Sequence, residues 1–443
     1  MNRPPLDYLI DYLRFPSIST QSNHKPDMEA CATWLVDLFR EMGLEAKIHK
    51  TKGHPIVLAK SAKKAGKPTL LIYGHYDVQP PEPLAEWTTP PFEPTLRDGK
   101  LYARGAGDNK GPTLAHILGT KKILEEGELP VNIIYLIEGE EEIGSPNLEG
   151  FIRDHREELA CDIIAISDTI MPANDWPTLT YGLRGVAAME LTVRGPERDL
   201  HSGIFGGAVA NPATAAGRLI ASLHDEKGHV QIEGFYEDIR PLEKWEHEAF
   251  ANRPSTDTDF LELTGSPILW GEDGFSTFER VGARPTAEIN GISGGYQGEG
   301  TKTVLPREAI VKITFRLVPD QTPEKILRLA EAHFRKHCPP GVTLEIEHGH
   351  GGMAYFSDPT TRYGVAAKRA LKTAFGKEPA LIREGGSIPI LHQFHDILKT
   401  DILLMALAAP DVQAHSPNES FPVKNLESGI RLHQEFLKEL AAC

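Results

Sequence analysis

The sequence predicts an α/β protein: a mostly parallel central sheet flanked by helices, interrupted by an inserted α+β domain. Three observations predict it. Short continuous apolar runs alternate with helical periodicity over the first 180 residues. Near residue 183 the period-two alternation of antiparallel strands with one wet face takes over. From about residue 359 the first style resumes. A chain of 443 residues also exceeds what one hydrophobic core ordinarily supports. The expected division is 1–182 and 352–443 for the α/β domain, with 183–351 inserted.

Each element follows from its own pattern. Residues 28–43, "MEACATWLVDLFREMG", space apolar side chains at three and four and end in glycine, as an amphipathic helix does. "TLLIYGHYD" (69–77), "NIIYLIEGE" (132–140) and "DIIAISD" (162–168) are short and continuously apolar, the mark of strands covered on both faces. Between the first two lies "GPTLAHILGTKKILEEG", a helix with Pro112 in its first turn and Gly127 at its end. The β-α-β-α-β order implies an open sheet with helices on both sides. In the insert, "AAMELTVRG" and "AIVKITFRLVP" read as antiparallel strands, accompanied by helices in "NPATAAGRLIASLHD" and "TPEKILRLAEAHFRKH". Residues 226–300, rich in Gly, Pro and acids, read as long connections. "TTRYGVAAKRALKTAFG", "DILLMALA" and "NLESGIRLHQEFLKELAA" then supply helix, buried strand and helix.

Composition excludes several classes. A net charge of −15 argues against a nucleic-acid or acidic-membrane partner, since both need a basic face. No stretch approaches the ~20 apolar residues that span a bilayer, and the start shows no signal peptide. Cys31, Cys161, Cys338 and Cys443 form no C-x-x-C pair, too sparse for a disulfide scaffold or zinc knuckle. The expected location is the cytoplasm.

The apolar strands end in acids and imidazoles. "LLIYGHYD" delivers His75 and Asp77; "IIYLIEGEEE" delivers Glu138, Glu140, Glu141 and Glu142; "DIIAISD" delivers Asp168. His415 follows another buried strand, and Asp108 sits between glycines in "RGAGDNKG". Loops beyond the carboxyl ends of parallel strands converge on one crevice. Carboxylates crowded there are costly unless a multivalent cation offsets their repulsion and desolvation. Imidazole and carboxylate without thiolate suit zinc or manganese better than calcium. Three carboxylates and two histidines are too many for one tetrahedral ion; they match two divalent ions ~3.5–4 Å apart, one carboxylate bridging. His392 and His395 fall in a helical pattern and read as structural, while His54, His116 and His155 have no partner motif.

The blocks "GHYDVQP", "RGAGDNKGP", "EGEEEIGS", "SDT" and "AHSPNE" resemble, in order and spacing, the signature of a dinuclear metallopeptidase family. It includes carnosinase, cytosolic non-specific dipeptidase, carboxypeptidase G, acylases and succinyl-diaminopimelate desuccinylase. "LHSGIFGGAVANP", "GTKTVLP", "FRLVP" and "REGGSIP" are most similar to the carnosinase and non-specific dipeptidase branch. The resemblance implies a catalytic α/β domain carrying an inserted lid and dimerisation domain, and a homodimer. It implies that Asp108 bridges two ions, with His75 and Asp168 completing one shell and Glu142 and His415 the other. Asp77 then orients His75, and Glu141 is the general base that takes a proton from metal-held water and passes it to the leaving amine. Glu138 and Glu140 match no family role and read as supporting or solvated. The resemblance also implies that His201 reaches the other subunit's site. Arg316 is expected to hold a substrate's terminal carboxylate, assisted by Thr303 and by Ser387, which reads as the start of a helix; His350 also matches a substrate-binding position. Arg383 either shares that clamp or pairs with a nearby acid.

The implied reaction is hydrolysis of dipeptides. The alternative on the same fold is deacylation of N-acyl amino acids, which needs the same ions and carboxylate clamp. A non-catalytic binding protein would require a lost base or ligand, yet all are present; a two-metal phosphoesterase would require a basic cleft.

Overall fold

The computed structural model describes residues 3–386, 388 and 390–443. A nine-stranded sheet lies at its centre. Four adjacent strands, Asn132–Glu138, Thr69–His75, Ile163–Ile166 and Ile402–Ala406, run parallel in that spatial order. Antiparallel strands extend it on both sides: Ile56–Lys60 and Glu45–His49 beyond the first, Thr178–Leu183 and then Tyr355–Phe356 beyond the last. Ala380–Glu384 pairs in parallel with Thr178–Leu183.

Successive strand side chains point to opposite faces, and here both faces are covered. Leu70 and Ile72 join a core built with helices Pro5–Leu13, Lys25–Glu41, Gly111–Glu126, Arg362–Phe375 and Val423–Ala441. Leu71 and Tyr73 join a second core with helices Leu148–Asp154 and Ile390–Leu398. Continuous apolar runs follow directly from this double burial. Among the described residues no helix is long and apolar enough to cross a membrane, and all four cysteines are unpaired.

The chain leaves this sheet at Leu183 and returns at Tyr355, and those two residues are paired with each other. Next to them Gly185 has no room for a side chain: a Cβ there would lie 2.5 Å from the Gly352 carbonyl oxygen. Between these points lies a four-stranded antiparallel sheet in the order Thr286–Gly294, Glu308–Leu317, Gly185–Arg194, Thr343–Gly352. Its buried residues alternate along the two middle strands, and helices Pro212–Ala221 and Pro323–Lys336 cover that apolar face.

Residues 226–300 are more structured than their composition suggests. They hold three short helices, Lys244–Ala251, Asp257–Thr264 and Thr277–Ala283, and the edge strand Thr286–Gly294. Each helix opens with a capping box, formed by Glu243 with Glu246, Thr256 with Asp259 and Ser276 with Glu279. Helices of one or two turns carry too few apolar positions to show a period, so their caps were the readable signal. Glu246 is buried and pairs with the buried Arg383, which decides for Arg383 between a ligand clamp and a partner acid.

Helices Gly111–Glu126 and Val423–Ala441 meet across a buried histidine pair. The Nδ1 atoms of His116 and His433 are 3.1 Å apart, so one proton is shared between two rings. The other nitrogens bond Ser167 Oγ at 2.8 Å and Thr120 Oγ1 at 2.7 Å. His116 thus has partners that no local motif announced. Burial pushes its pKa down from 6.5 to about 4 and holds that of His433 well below the usual range. A group whose folded pKa is depressed binds its proton more readily unfolded. Stability is therefore present above about pH 6.5 and is lost as pH falls toward about 4. The loss from His116 is roughly 3 kcal/mol across that window. Replacing both histidines by glutamine should flatten the dependence of melting temperature on pH between those limits; an unchanged slope would count against the pair.

Candidate metal centre

The parallel strands end at one edge and deliver polar side chains there. His75 is the last residue of its strand and lies in register with Glu138, the last of the neighbouring one. Asp168 follows Ile163–Ile166 by two residues. Glu141 and Glu142 open a single 3-10 turn just after Glu138. Asp108 sits in the turn leading into helix Gly111–Glu126, and His415 in the loop after Ile402–Ala406.

These residues form two donor sets that share one member. His75, Asp108 and Asp168 make the first, and Asp108, Glu142 and His415 the second; within each, the donor atoms lie within 4.8 Å of one another. Asp108 divides its carboxylate between them. Its Oδ1 is 3.2 Å from His75 Nε2, and its Oδ2 is 3.0 Å from His415 Nε2. Glu142 Oε2 lies 3.1 Å from His415 Nε2, and Asp168 Oδ2 lies 3.9 Å from His75 Nε2. Glu141 belongs to neither set.

The surroundings orient the donors. The Asp77 backbone carbonyl, 3.1 Å from His75 Nδ1, can only accept, so Nδ1 carries the proton and Nε2 faces the acids. The Asp77 carboxylate, 3.4 Å from the same nitrogen, accepts from the backbone N–H groups of Glu141 and Glu142 at 3.3 and 3.1 Å. One buried aspartate therefore ties the histidine to the glutamate turn. Two further residues, inside blocks singled out for other members, do similar work. Gln79 Nε2 donates to Glu142 Oε2 at 2.9 Å, and Asn109 Nδ2 donates to Asp168 Oδ1 at 3.0 Å.

The opening pair of acids in the glutamate run is not solvated. Glu138 accepts from Tyr73 and Ser145 hydroxyls, and burial pushes its pKa up to about 7. Glu140 accepts from the His54 backbone N–H at 2.9 Å and from Asn147 at 2.8 Å. Both brace the loop instead of facing water.

Proton affinities show how strongly the site resists negative charge. Burial, with Asp108 and Glu142 adding to it, raises Asp168 to about 7 against the opposing pull of His75. Burial and then Asp168, Glu142 and Asp108 raise Glu141 well above the carboxylate range. Burial alone would raise Asp108 and lower His75; their mutual hydrogen bond, with those of His415 and Asp77, reverses both directions. Hydrogen bonds to Asp108 and Glu142 push His415 up to about 10. The cluster thus draws positive charge to itself. Imidazole and carboxylate oxygen in two sets sharing one carboxylate fit divalent cations, and no cysteine belongs to either set.

Of the remaining expected residues, Arg316 and His350 lie on the four-stranded sheet, and His201 lies on a separate two-stranded ladder. His201, exposed, pairs with Val304 in a short ladder, its ring accepting from Gly203 N–H at 3.0 Å. Exposed Thr303 adjoins it, its carbonyl accepting from Ser202 N–H at 3.0 Å. Arg316 is half-buried and lines a cavity of about 380 Å³ with Arg184, Arg280, Arg284 and Glu288. None of the five donor residues lines that cavity. His350 is exposed where the pairing of Thr343–Gly352 shifts register. Ser387 lies outside the described residues.

Comparison with known proteins places the chain. Residues 71–439 match the model of peptidase family M20/M25/M40. The chain is 34% identical to the Cys-Gly metallodipeptidase dug1 of Schizosaccharomyces pombe, over 96% of this chain and 93% of that one. It is 35% identical to the human Beta-Ala-His dipeptidase, over 87% of this chain and 78% of that one. Among solved structures it is similar to the M20 family metallo-carboxypeptidase Sso-CP2 from Sulfolobus solfataricus, with 32% identity, a TM-score of 0.84 and full coverage of both chains. A match across most of the chain, on a fold that brings the donor residues together, shows that it belongs to peptidase family M20/M25/M40.

Proposed function

We propose that this chain is a metal-dependent dipeptidase that hydrolyses the peptide bond of its substrate and releases a free C-terminal amino acid. The observation that carries the proposal is the division of the Asp108 carboxylate between two donor sets, with Glu141 adjacent and in neither. Two relatives whose names describe dipeptidases support the substrate class. His75, Asp108 and Asp168 would hold one divalent ion, and Asp108, Glu142 and His415 a second, each zinc or manganese. Ions held there supply a Lewis acid for the scissile carbonyl and lower the pKa of water.

The chain's own residues do the rest. Asp77 keeps the proton of His75 on Nδ1, leaving Nε2 free as a donor. Glu141 takes the proton of the attacking water on its carboxylate and returns it to the leaving amine; its burial raises its affinity for that proton. Arg316 binds the terminal carboxylate, with Thr303, Ser387 and His350 as further contacts; the neighbouring Arg184 guanidinium supports an anion in that cavity. Residues 1–182 and 352–443 form the catalytic domain, and 183–351 the lid through which a homodimer forms. In that dimer His201 of one subunit completes the site of the other as a donor to the oxyanion. Exposed Ile204 and Phe205, in the short helix Ser202–Phe205 after His201, support an interface there. The unpaired cysteines support a reducing compartment such as the cytoplasm.

A second reading has its own support, because the metallo-carboxypeptidase covers the chain fully. Carboxypeptidase, N-acyl amino acid deacylase and dipeptidase share the carboxylate clamp and differ in the acyl side. Ala-Ala, Cys-Gly and β-Ala-His should be cleaved faster than a tetrapeptide or an N-acetyl amino acid. Faster turnover of the tetrapeptide would make it a carboxypeptidase, and of the acylated substrate a deacylase.

Glu141→Gln should retain metal yet lose about 10²–10⁴-fold in kcat. Near-normal turnover with bound metal would remove Glu141 from the mechanism. The dimer is tested by mixing two inactive variants, Glu141→Gln and His201→Ala. Subunit exchange should restore part of the activity, since one mixed site then holds both residues. No recovery from variants that exchange subunits would show that His201 acts elsewhere.

A further inference from the structure

The two donor sets are not built alike. The first rests on the sheet: His75 ends a strand, Asp168 follows one, and Asn109 bonds Asp168 Oδ1 and the Ser167 carbonyl at 3.0 and 2.8 Å. The second rests on loops. His415 is held at a φ of +61°, as Gln413 and Asn418 are at +54° and +62°, a left-handed region that side chains other than glycine's rarely adopt. More than half of the His415 side chain is exposed. Such a loop does not fix a donor by packing.

Glu419, four residues further along, supplies the missing constraint. It is fully buried, and its carboxylate accepts four hydrogen bonds. Oε2 receives Arg104 Nη1 at 2.8 Å and Gly105 N–H at 2.9 Å; Oε1 receives Gly107 N–H at 2.9 Å and Asp108 N–H at 3.0 Å. The chain carrying Asp108 fits around it closely, since a Cβ on Gly107 would lie 2.2 Å from Val412 Cγ2 on the His415 loop. A carboxylate has no donor of its own, so it can saturate this row of N–H groups as no neutral side chain can.

We propose that Glu419 is a positioning residue which clasps the Asp108 turn to the His415 loop, so that one buried carboxylate sets the geometry of the second donor set. The inference rests on the dinuclear metal reading. Without the clasp, Asp108 stays tied to Asp168 through Asn109, and its relation to His415 is lost. The second site therefore weakens more than the first.

Glu419→Gln tests this at constant volume. An amide must turn its NH₂ toward either the Arg104 and Gly105 donors or the Gly107 and Asp108 donors, so half the clasp opens in either orientation. The readout is Mn²⁺ titrated into chelated protein by calorimetry, with metal content measured after gel filtration. The variant should hold one ion at wild-type affinity and bind the other at least about tenfold more weakly, as when an outer partner of a ligand is removed. Its turnover of Ala-Ala should recover with excess Mn²⁺. If the orphaned Arg104 prevents folding, Arg104→Met with Glu419→Gln removes both buried charges and serves the same measurement. Two ions bound as in the wild type, or both weakened equally, would overturn the proposal. Wild-type protein that takes up no Mn²⁺ would instead overturn the metal reading, and this proposal with it.

Discussion

Negative charge gathered where it is least welcome is the constraint from which the structure follows. Asp108, Glu141, Glu142 and Asp168 meet at one end of a sheet whose two faces are both covered by apolar side chains. A carboxylate there is only partly open to water, and burial raises the affinities of Asp168 and Glu141 for protons. Only a parallel arrangement brings the ends of non-consecutive strands to one edge with helices closing both sides. The fold thus concentrates acids at a place of low polarisability, and two imidazoles sharing Asp108 are the protein's own contribution of positive charge.

How much of this can be read along the chain depends on whether a residue's role is local. The central strands are legible because double burial writes itself as an unbroken apolar run, as in Thr69–His75 and Asn132–Glu138. His75, Asp108, Glu142, Asp168 and His415 are legible as a group because each ends or follows such an element, and the structure brings those five together. Gln79, Asn109 and Glu419 are not legible in the same way. Each is a polar residue in a turn, and its partner exists only once two distant loops have met. The same reason hid the bracing roles of Glu138 and Glu140, whose partners Tyr73 and His54 lie over 60 positions away. The helices between residues 244 and 283 were missed on different grounds: one or two turns bury too little to leave a period.

The electrostatics also distinguish the two halves of the centre. His75 is fully buried, while His415 stands largely in solvent at the rim. Charge near the first is screened little by salt, and charge near the second much more. Overall charge says nothing of this. The chain carries −15, yet its Arg316 cavity gathers four arginines, one of them paired with Glu272.

Finally, the pairing of Leu183 with Tyr355 has a mechanical meaning. The four-stranded sheet hangs from the larger one by two adjacent threads, pressed together where Gly185 meets the Gly352 carbonyl. Two threads side by side resist separation, and helices Lys244–Ala251 and Thr277–Ala283 of the insert add a second attachment by packing on strand Ala380–Glu384 of the larger sheet. The Arg383–Glu246 ion pair lies beside that junction, since Arg383 pairs in register with Gly182, and it ties helix Lys244–Ala251 to the larger sheet there. Bulk introduced at Gly185 would splay the threads and shift the resting angle between the sheets, leaving the metal donors where they are.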